Sequence, residues 1–464
     1  MSDTQLVWLR RDLRVADNPA LFEAAKTGAP VIAVYVLDDD RAKTHAYGGA
    51  SRWWLHHSLA DLANSLAALG SQLILRRGDA VEELLKLAEE TGAKTVHANR
   101  HYEPWWRNAQ KAIAETLNLE LYEGNYLLPM GSVTTGSGGQ YKIYTPYSRA
   151  VRAAFPPRDL VPAPETLKAP GTWPASDALE DWQLLPSRPD WAGGMREFWQ
   201  VGEAAAHQRL SEWEAHVDDY DDRRNFPSED KVSRLSPYLH FGQLSPLQVW
   251  HHLKHKSSKG AFVFESELIW REYAQNTIAQ YPLYARDNYR EDFDKIEWRD
   301  PETDAEAARD LKAWQKGETG YPVVDAGMRQ LWKTGWMHNR VRMITASFLI
   351  KHLLIDWRHG EQWFWDTLVD ADYASNATNW QWTAGTGVDS NMFVRIMAPL
   401  SQSEKFDCAD YIRTYVPELS KLDEPYIHDP EDHGCRPTAY PPKIIGHREA
   451  RERALSAYKA MKGE

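Results

Sequence analysis

Cysteine is nearly absent. Only Cys408 and Cys435 occur in 464 residues, too few for a disulfide framework or a cysteine-rich zinc site. Positive charge is short overall: 54 Lys and Arg face 66 Asp and Glu, a net charge of −12. A globally basic nucleic-acid coat is thereby excluded, although a local basic patch is not. No stretch reaches the ~18 apolar residues of a membrane-spanning helix, and the charged opening MSDTQLVWLRRDLR lacks the apolar run of a secretory signal. The expectation is a cytoplasmic protein with no membrane contact. With 43% hydrophobic residues and a mean hydropathy of −0.60, the chain reads as soluble and globular, with room for roughly two to four domains. What it has in excess is tryptophan: 21, beside 21 tyrosines and 12 phenylalanines. An indole seeks burial for its ring and a partner for its N–H, so this number calls for an explanation beyond packing.

The first third alternates in type. Gln5–Leu9, Val31–Leu37, Gln72–Leu75 and Lys94–Ala98 are short apolar or β-branched runs that fit buried strands. Helix-like stretches separate them, at Pro19–Lys26, Ser51–Leu69, Ala80–Glu90 and Trp105–Leu117. This alternation predicts a parallel sheet with helices on both faces, which binds ligands beyond the carboxyl ends of its strands. From Gly131 the texture becomes loop-like, and Phe155–Pro189 carries eight prolines with little periodicity, as a linker draped over the surface does. Helical patterns dominate afterwards: Ala204–Asp218, Pro246–His255, Phe262–Ile278, Ala305–Gln315, Val324–Thr334 and Asn339–Leu354. The expected division is 1–130 as an α/β domain, 131–200 as a linker and 201–464 as a helical domain.

Charge is unevenly spread. Asp287–Asp310 holds ten acids against four bases, and Glu203–Asp222 seven against one, whereas Arg329–Arg358 holds six Lys and Arg against Asp356 alone. A basic face is ordinarily just a solvated one. Other signals point nowhere. His251, His252 and His255 have helical ligand spacing but no general base between them. Asp218, Asp219, Asp221 and Asp222 lack the periodic oxygens of a calcium loop. Gly136–Gly139 lacks the Lys-Ser/Thr ending of a phosphate loop. No metal site is expected.

Four clusters in the helical half combine scarce residue types. Phe262–Tyr273 (FVFESELIWREY) sets Glu267, Trp270 and Arg271 at i, i+3 and i+4, one helix face. Trp336–Met343 (WMHNRVRM) sets Trp336, Asn339, Arg340 and Met343 in the same way, on a helix whose arginines could equally face water. Asp370–Trp382 (DADYASNATNWQW) is rich enough in Asn, Asp and Thr to read as a polar loop flanked by aromatics at a ligand rim. Ser233–Ser236 (SRLS) precedes a helix opened by Pro237, where hydroxyls and free N–H groups suit a phosphate. Together they describe a pocket with a phosphate seat, acid and amide groups, and indoles.

With LVWLRRDLRVADNPAL (Leu6–Leu21), ELIWREY, GYPVVDAGMRQLWKTGWMHNRVRMITASFLIKHLLIDW and DADYASNATNWQW in that order, the chain resembles the photolyase/cryptochrome flavoproteins, most of all a class I cyclobutane pyrimidine dimer DNA photolyase. The resemblance extends to about Glu418. It implies an α/β fold with a Rossmann-like parallel-sheet antenna domain, followed by an all-helical domain holding FAD, whose working form is FADH⁻. Light would drive an electron from the reduced flavin to a flipped-out dimer and back, so that the cofactor carries the hard chemistry.

The same resemblance implies roles for individual residues. Tyr220, Val232, Ser233, Arg234, Leu235 and Ser236 match positions gripping the FAD diphosphate and ribityl chain, with Val232 standing where a threonine is common. Arg271, Arg342, Asp370, Asp372 and Asn376 match those around the isoalloxazine, and Phe264 replaces a tryptophan often found nearby. Glu267, Trp270, Asn339, Met343 and Trp382 match positions that meet the extruded dimer, an event of the base-flipping kind, with indoles replacing lost stacking. Arg224, Arg340, Arg395, Gln402 and Lys405 match backbone contacts that grip phosphates without reading sequence. Trp380, Trp357 and Trp298 match a tryptophan chain that reduces oxidised flavin. His45 matches a folate contact of some members, while Trp105 and Trp106 stand where an acidic residue is expected. The antenna site could hold folate, deazaflavin or a second flavin, or be empty.

A cryptochrome photoreceptor is the alternative, opposed by Asn376, Asn339, Met343 and the lack of a long C-terminal extension. A (6-4) photolyase comes third, because His338-Asn339 replaces the histidine pair of animal-type members. The expected partner is DNA carrying pyrimidine dimers, bound by a monomer with no obligate protein partner.

Overall fold

The computed structural model describes residues 3–464. The opening run Gln5–Leu9 (β1) is the central strand of a five-stranded parallel sheet ordered β3-β2-β1-β4-β5, with β2 at Val31–Leu37, β3 at Leu73–Arg77, β4 at Thr95–Asn99 and β5 at Asn118–Tyr122. All seven residues of β2 are buried, as expected of a strand covered on both faces. The sequence pattern found four of the five strands. It missed β5, because NLELY is polar and only partly buried, the character of an edge strand.

Side chains alternate across the sheet. Leu6, Trp8, Ile32, Val34, Val36, Ile74 and Val96 build a core with the helices Ala80–Thr91 and Pro104–Ala114. Val7, Leu9, Val31, Ala33, Tyr35 and Leu37 face the other way, into a core that continues through Trp54 and Tyr238 to Phe264 and Tyr273 of the helical half. A third core, with Trp314, Trp357 and Trp380, lies within the helical half.

Strand order reverses beside β1, so the loops after β1 and β4 meet at the carboxyl edge of the sheet. There Arg10 donates to the Asn99 carbonyl, Arg11 pairs with Glu103, and Asn99 Nδ2 donates to Asp12 at 2.7 Å. This edge presses on the helical half. Leu13 N–H donates to Phe241 O at 3.0 Å, and Gly242 takes φ +67° where an added Cβ would lie 2.2 Å from the Arg11 carbonyl oxygen. Only glycine fits there.

The Pro-rich stretch 155–189 contains no α-helix or strand, only a 3₁₀ turn at Leu179–Trp182. It runs beside the outer edge of β3: Asp177 N–H donates to Leu75 O at 2.9 Å and Ser176 Oγ accepts from Leu75 N–H at 2.9 Å. Two short helices, Tyr144–Ala153 and Gly193–Phe198, flank it. The helical half includes Lys259–Gln280, Pro322–Thr334, Asn339–Ser347, Trp357–Thr367 and Tyr373–Ala384. Two local expectations are corrected. Asp370–Trp382 is largely helix rather than loop, because Asp372 caps it by accepting from Ser375 N–H at 2.8 Å and its small residues fit between packed neighbours. The Asn339 helix begins after His338, whose side chain accepts from Arg340 N–H, so Trp336 precedes it instead of sharing its face. No helix among the described residues is long and apolar enough to cross a membrane.

Candidate active site

The Lys259–Gln280 helix carries Glu267, Trp270 and Arg271 in three directions. Glu267 is half-buried and bound to the Arg224 guanidinium. Burial raises its carboxyl above the usual range, and the charge and hydrogen bond of Arg224 only partly oppose this. Trp270 is 37% exposed and lies parallel to Tyr144, with centroids 3.4 Å apart, so one indole face is supported and the other is free. Arg271 turns inward, donating to Asn125 O at 2.8 Å and Leu239 O at 3.3 Å.

Beyond them, Arg340 donates to Asn225 Oδ1 at 2.7 Å, contacts Met343 Sδ and covers the Phe406 ring at 4.5 Å; Lys405 reaches the same ring at 5.2 Å. Burial lowers the pKa of Arg340, and the charges of Arg224 and Arg395 add to that, so three guanidinium groups share one region. Asn339 and Arg395 are exposed, Trp382 and Gln402 half-buried. The Arg395 segment is anchored from beneath: buried Lys351 donates to Met392 O at 2.8 Å and Arg395 O at 3.0 Å. Asp389 of the same segment accepts from Tyr144 N–H at 2.9 Å.

A second group lies deeper. Arg342 makes a two-pronged pair with Asp370 at 2.9 and 3.1 Å and donates to Met337 O. Asp372 meets Arg11 at 3.1 Å and His240 at 3.7 Å. Burial alone would raise its carboxyl, but the hydrogen bond with His240 and the charge of Arg11 hold it far below the ordinary range. Asn376 is buried and donates through Nδ2 to the Glu361 backbone carbonyl at 3.1 Å and to its Oε1 at 2.9 Å. Trp336 lies between Arg234 and Arg342, 5.9 Å from each.

Tyr220 packs edge-on against Phe264 at 5.4 Å. Val232 and Ser233 give their carbonyls to Arg209 at 2.9 and 2.8 Å. Arg234 takes φ +53°, pairs with Asp230 at 2.9 Å, and is followed by buried Leu235 and exposed Ser236. The fit of this region to a flavin nucleotide can be tested by its unmade bonds. Arg234 Nε, His338 Nε2, His240 Nε2 and Arg11 Nε are all buried without a protein partner. Donors left unmade in this way cost roughly 1–3 kcal/mol each, and with two guanidinium–carboxylate pairs between them they suit an anionic, amide-bearing cofactor. Burial, then Arg340 and Arg342, lower the His338 pKa to about 3, so its imidazole is neutral.

Trp380 is 2% exposed and meets Phe364 at 5.0 Å and Trp314 at 6.4 Å, edge-on in both cases. Its six-membered ring covers Gly360, where a Cβ would lie 2.1 Å away. Gly360 is three residues from Trp357, which is fully buried and donates from Nε1 to Asn288 Oδ1 at 2.9 Å. Trp298 is half-buried, 6.2 Å from Phe393. At the sheet edge His45 lies parallel to Trp105 with centroids 6.5 Å apart, while Trp106 is buried against Trp8. No group of three or more His, Cys, Asp or Glu able to hold a metal ion occurs among the described residues.

Several residues here were not singled out from the sequence: Arg11, Asn125, Tyr144, His240, Lys351 and Glu361. Arg11 alone left a sequence signal, a charged RRDLR run directly after a buried strand. The others act from elements remote in the chain.

The family model described as "FAD binding domain of DNA photolyase" matches residues 264–460, and that described as "DNA photolyase" matches 5–167. A deoxyribodipyrimidine photo-lyase of Agrobacterium fabrum is 45% identical over 98% of both chains. The structure of a bacterial class III photolyase from Agrobacterium tumefaciens superimposes with a TM-score of 0.94 at 45% identity, over 100% of this chain and 98% of the other. An archaeal photolyase from Sulfolobus tokodaii with two FAD molecules gives 0.82 at 28% identity, over 98% of this chain and 100% of the other. The expected class I assignment is therefore not supported.

Proposed function

This chain belongs to the DNA photolyase/cryptochrome family, and from that premise we propose that it is a deoxyribodipyrimidine photo-lyase of the class III kind, acting on cyclobutane pyrimidine dimers. It is a light-driven DNA repair enzyme that binds FAD in its helical half. The observation that carries the reading is 45% identity sustained over 98% of the chain. In this reading residues 1–130 form the antenna domain, 131–200 the linker and 201–464 the catalytic domain.

When bound, reduced FAD supplies the light-excited electron that opens the cyclobutane ring and is then returned. The protein's part is to bind, orient and exclude water. Tyr220 and Val232–Ser236 would seat the diphosphate. Arg271, Arg342 and Asp370 would fix the ring system, Asp372 would hold Arg11 and His240 in place, and the Asn376 amide, oriented by Glu361, would face the reactive edge. Glu267, its carboxyl raised by burial above the usual range, would hydrogen-bond the carbonyl and N–H edges of a thymine and, in its protonated form, favour charge there. Trp270 and Trp382 would stack on the extruded bases, with Asn339 and Met343 beside them. Arg224, Arg340, Arg395, Gln402 and Lys405 would hold the phosphates. Trp380, Trp357 and Trp298 would carry electrons for flavin reduction. The enzyme would act as a monomer without an obligate protein partner.

The test is illumination of the FAD-loaded protein with a thymine-dimer oligonucleotide under reducing conditions. Light-dependent loss of the dimer is expected. An unchanged dimer in the presence of fully reduced, bound flavin would leave the photoreceptor alternative in its place.

A further inference from the structure

Where β4 and β5 end, the sheet, the outer face of the Pro104–Ala114 helix, the loop around Met130 and the last turn of the Lys259–Gln280 helix enclose a cavity of about 540 Å³. None of the residues given a role above lines it. It occupies the far end of the Lys259–Gln280 helix from Glu267 and Trp270.

Its lining defines an occupant. Arg100, Arg107 and Lys111 contribute positive charge and no carboxylate lines the wall, so an anion is favoured. Glu123 balances Arg100 at 2.9 Å, and Arg107 donates to Ala279 O at 3.2 Å. Lys111, exposed at the rim, remains as the seat for a phosphate.

The deep wall is polar and incompletely bonded. His101 is 2% exposed. Asn125 Nδ2 donates to its Nε2 at 3.2 Å, which places the proton on Nδ1, and Nδ1 has no partner. Burial, reinforced by Arg10, lowers the pKa of this imidazole to about 3, so it is a neutral donor. Gln140 Oε1 is likewise buried without a partner. Asn276 and Gln280 both donate their amide N–H groups to Tyr141 O, at 3.0 and 3.3 Å, which leaves their side-chain carbonyls as acceptors. Leu119, Leu121 and Met130 supply an apolar floor. Donors and acceptors set over an apolar floor, with cations at the rim, suit a flat heterocycle with N–H groups and a phosphate tail.

We propose that this cavity binds a purine nucleotide, its phosphate at Lys111 and Arg107 and its base edge against His101, Gln140 and Asn276. The proposal does not depend on the repair reading.

The test is calorimetry with ADP on the FAD-loaded protein, with the DNA-binding face saturated by a dimer-containing oligonucleotide. One equivalent of ADP is expected to bind. Adenosine and inorganic phosphate should each bind at least about tenfold more weakly, a loss of about 1.4 kcal/mol. Arg107→Glu with Lys111→Glu should weaken ADP by the same factor or more, with flavin content and dimer repair unchanged. Leu119→Trp, which fills the floor, should do likewise. Absence of ADP binding, displacement of ADP by the oligonucleotide, equal binding of phosphate alone, or ADP binding unaltered in both variants would overturn the proposal.

Discussion

Glu272 follows Arg271 in the motif ELIWREY and, like it, turns inward to the backbone near residues 125–128. It is 2% exposed and accepts from Leu127 N–H at 3.1 Å. Burial drives its carboxyl up to about 7, with Arg271 and the Leu127 and Leu128 amides only partly opposing the rise. Because the folded protein holds this proton more tightly than the unfolded chain, the stability it contributes is complete below the ordinary carboxyl value near 4.5 and is lost as pH rises through about 7. Glu272→Gln should flatten that loss, which for a shift of this size is on the order of 1–3 kcal/mol. Urea midpoints measured from pH 5 to 8, an interval of roughly three units around the affected range, should converge for variant and parent at the acid end and separate at the alkaline end. Residue types in this motif were legible from the sequence, but their directions were not. Glu267 turns to Arg224 and Trp270 to Tyr144, whereas Arg271 and Glu272 bind backbone groups near residues 125–128 that lie far away in the chain.

At the scale of elements, the Tyr373–Ala384 helix was the hardest to foresee. Its Asn, Asp and Thr content argues for a loop by local preference, and tertiary packing overrides it: Ala374, Ala377 and Trp380 are buried. Period alone did locate the Pro19–Lys26 and Ala305–Lys316 helices to within a residue, because each has an Asn or Asp cap. The close approach of Trp380 to Gly360 joins this helix to Trp357–Thr367. Gly360→Ala should cost about 1–3 kcal/mol through overpacking, read as a lower melting temperature, and should slow flavin photoreduction by shifting Trp380. Trp380→Phe separates the two effects. Photoreduction should stop, while dimer repair by pre-reduced enzyme should stay at the parental rate under the same illumination. Equal loss of both would remove the proposed electron-relay role.

Across the whole molecule, a net charge of −12 coexists with the cluster of Arg224, Arg340, Arg395 and Lys405. Of these, Arg224 is already neutralised by Glu267, while Arg395 and Lys405 are exposed. Binding of damaged duplex should therefore weaken steeply with salt. Arg395→Ala and Lys405→Ala should each reduce the slope of log K against log salt by about 0.9, measured by fluorescence anisotropy, whereas Gln402→Ala should leave the slope unchanged. Fold class was readable because strand and helix periods differ. Charge distribution points to only one member of the basic site, Arg340 in the 329–358 run; the others come from separate segments and are implied by the family resemblance alone.

The Pro-rich stretch that crosses β3 has a bearing on the life of the protein in a crowded solution. A bare outer strand of a parallel sheet offers a row of unmet amide groups to any neighbouring chain. Here Asp177 and Ser176 occupy the two backbone groups of Leu75, and a segment studded with proline cannot itself extend the ladder. The connection between the two halves thus also guards against self-association, so cutting it should produce aggregates before it produces separated domains.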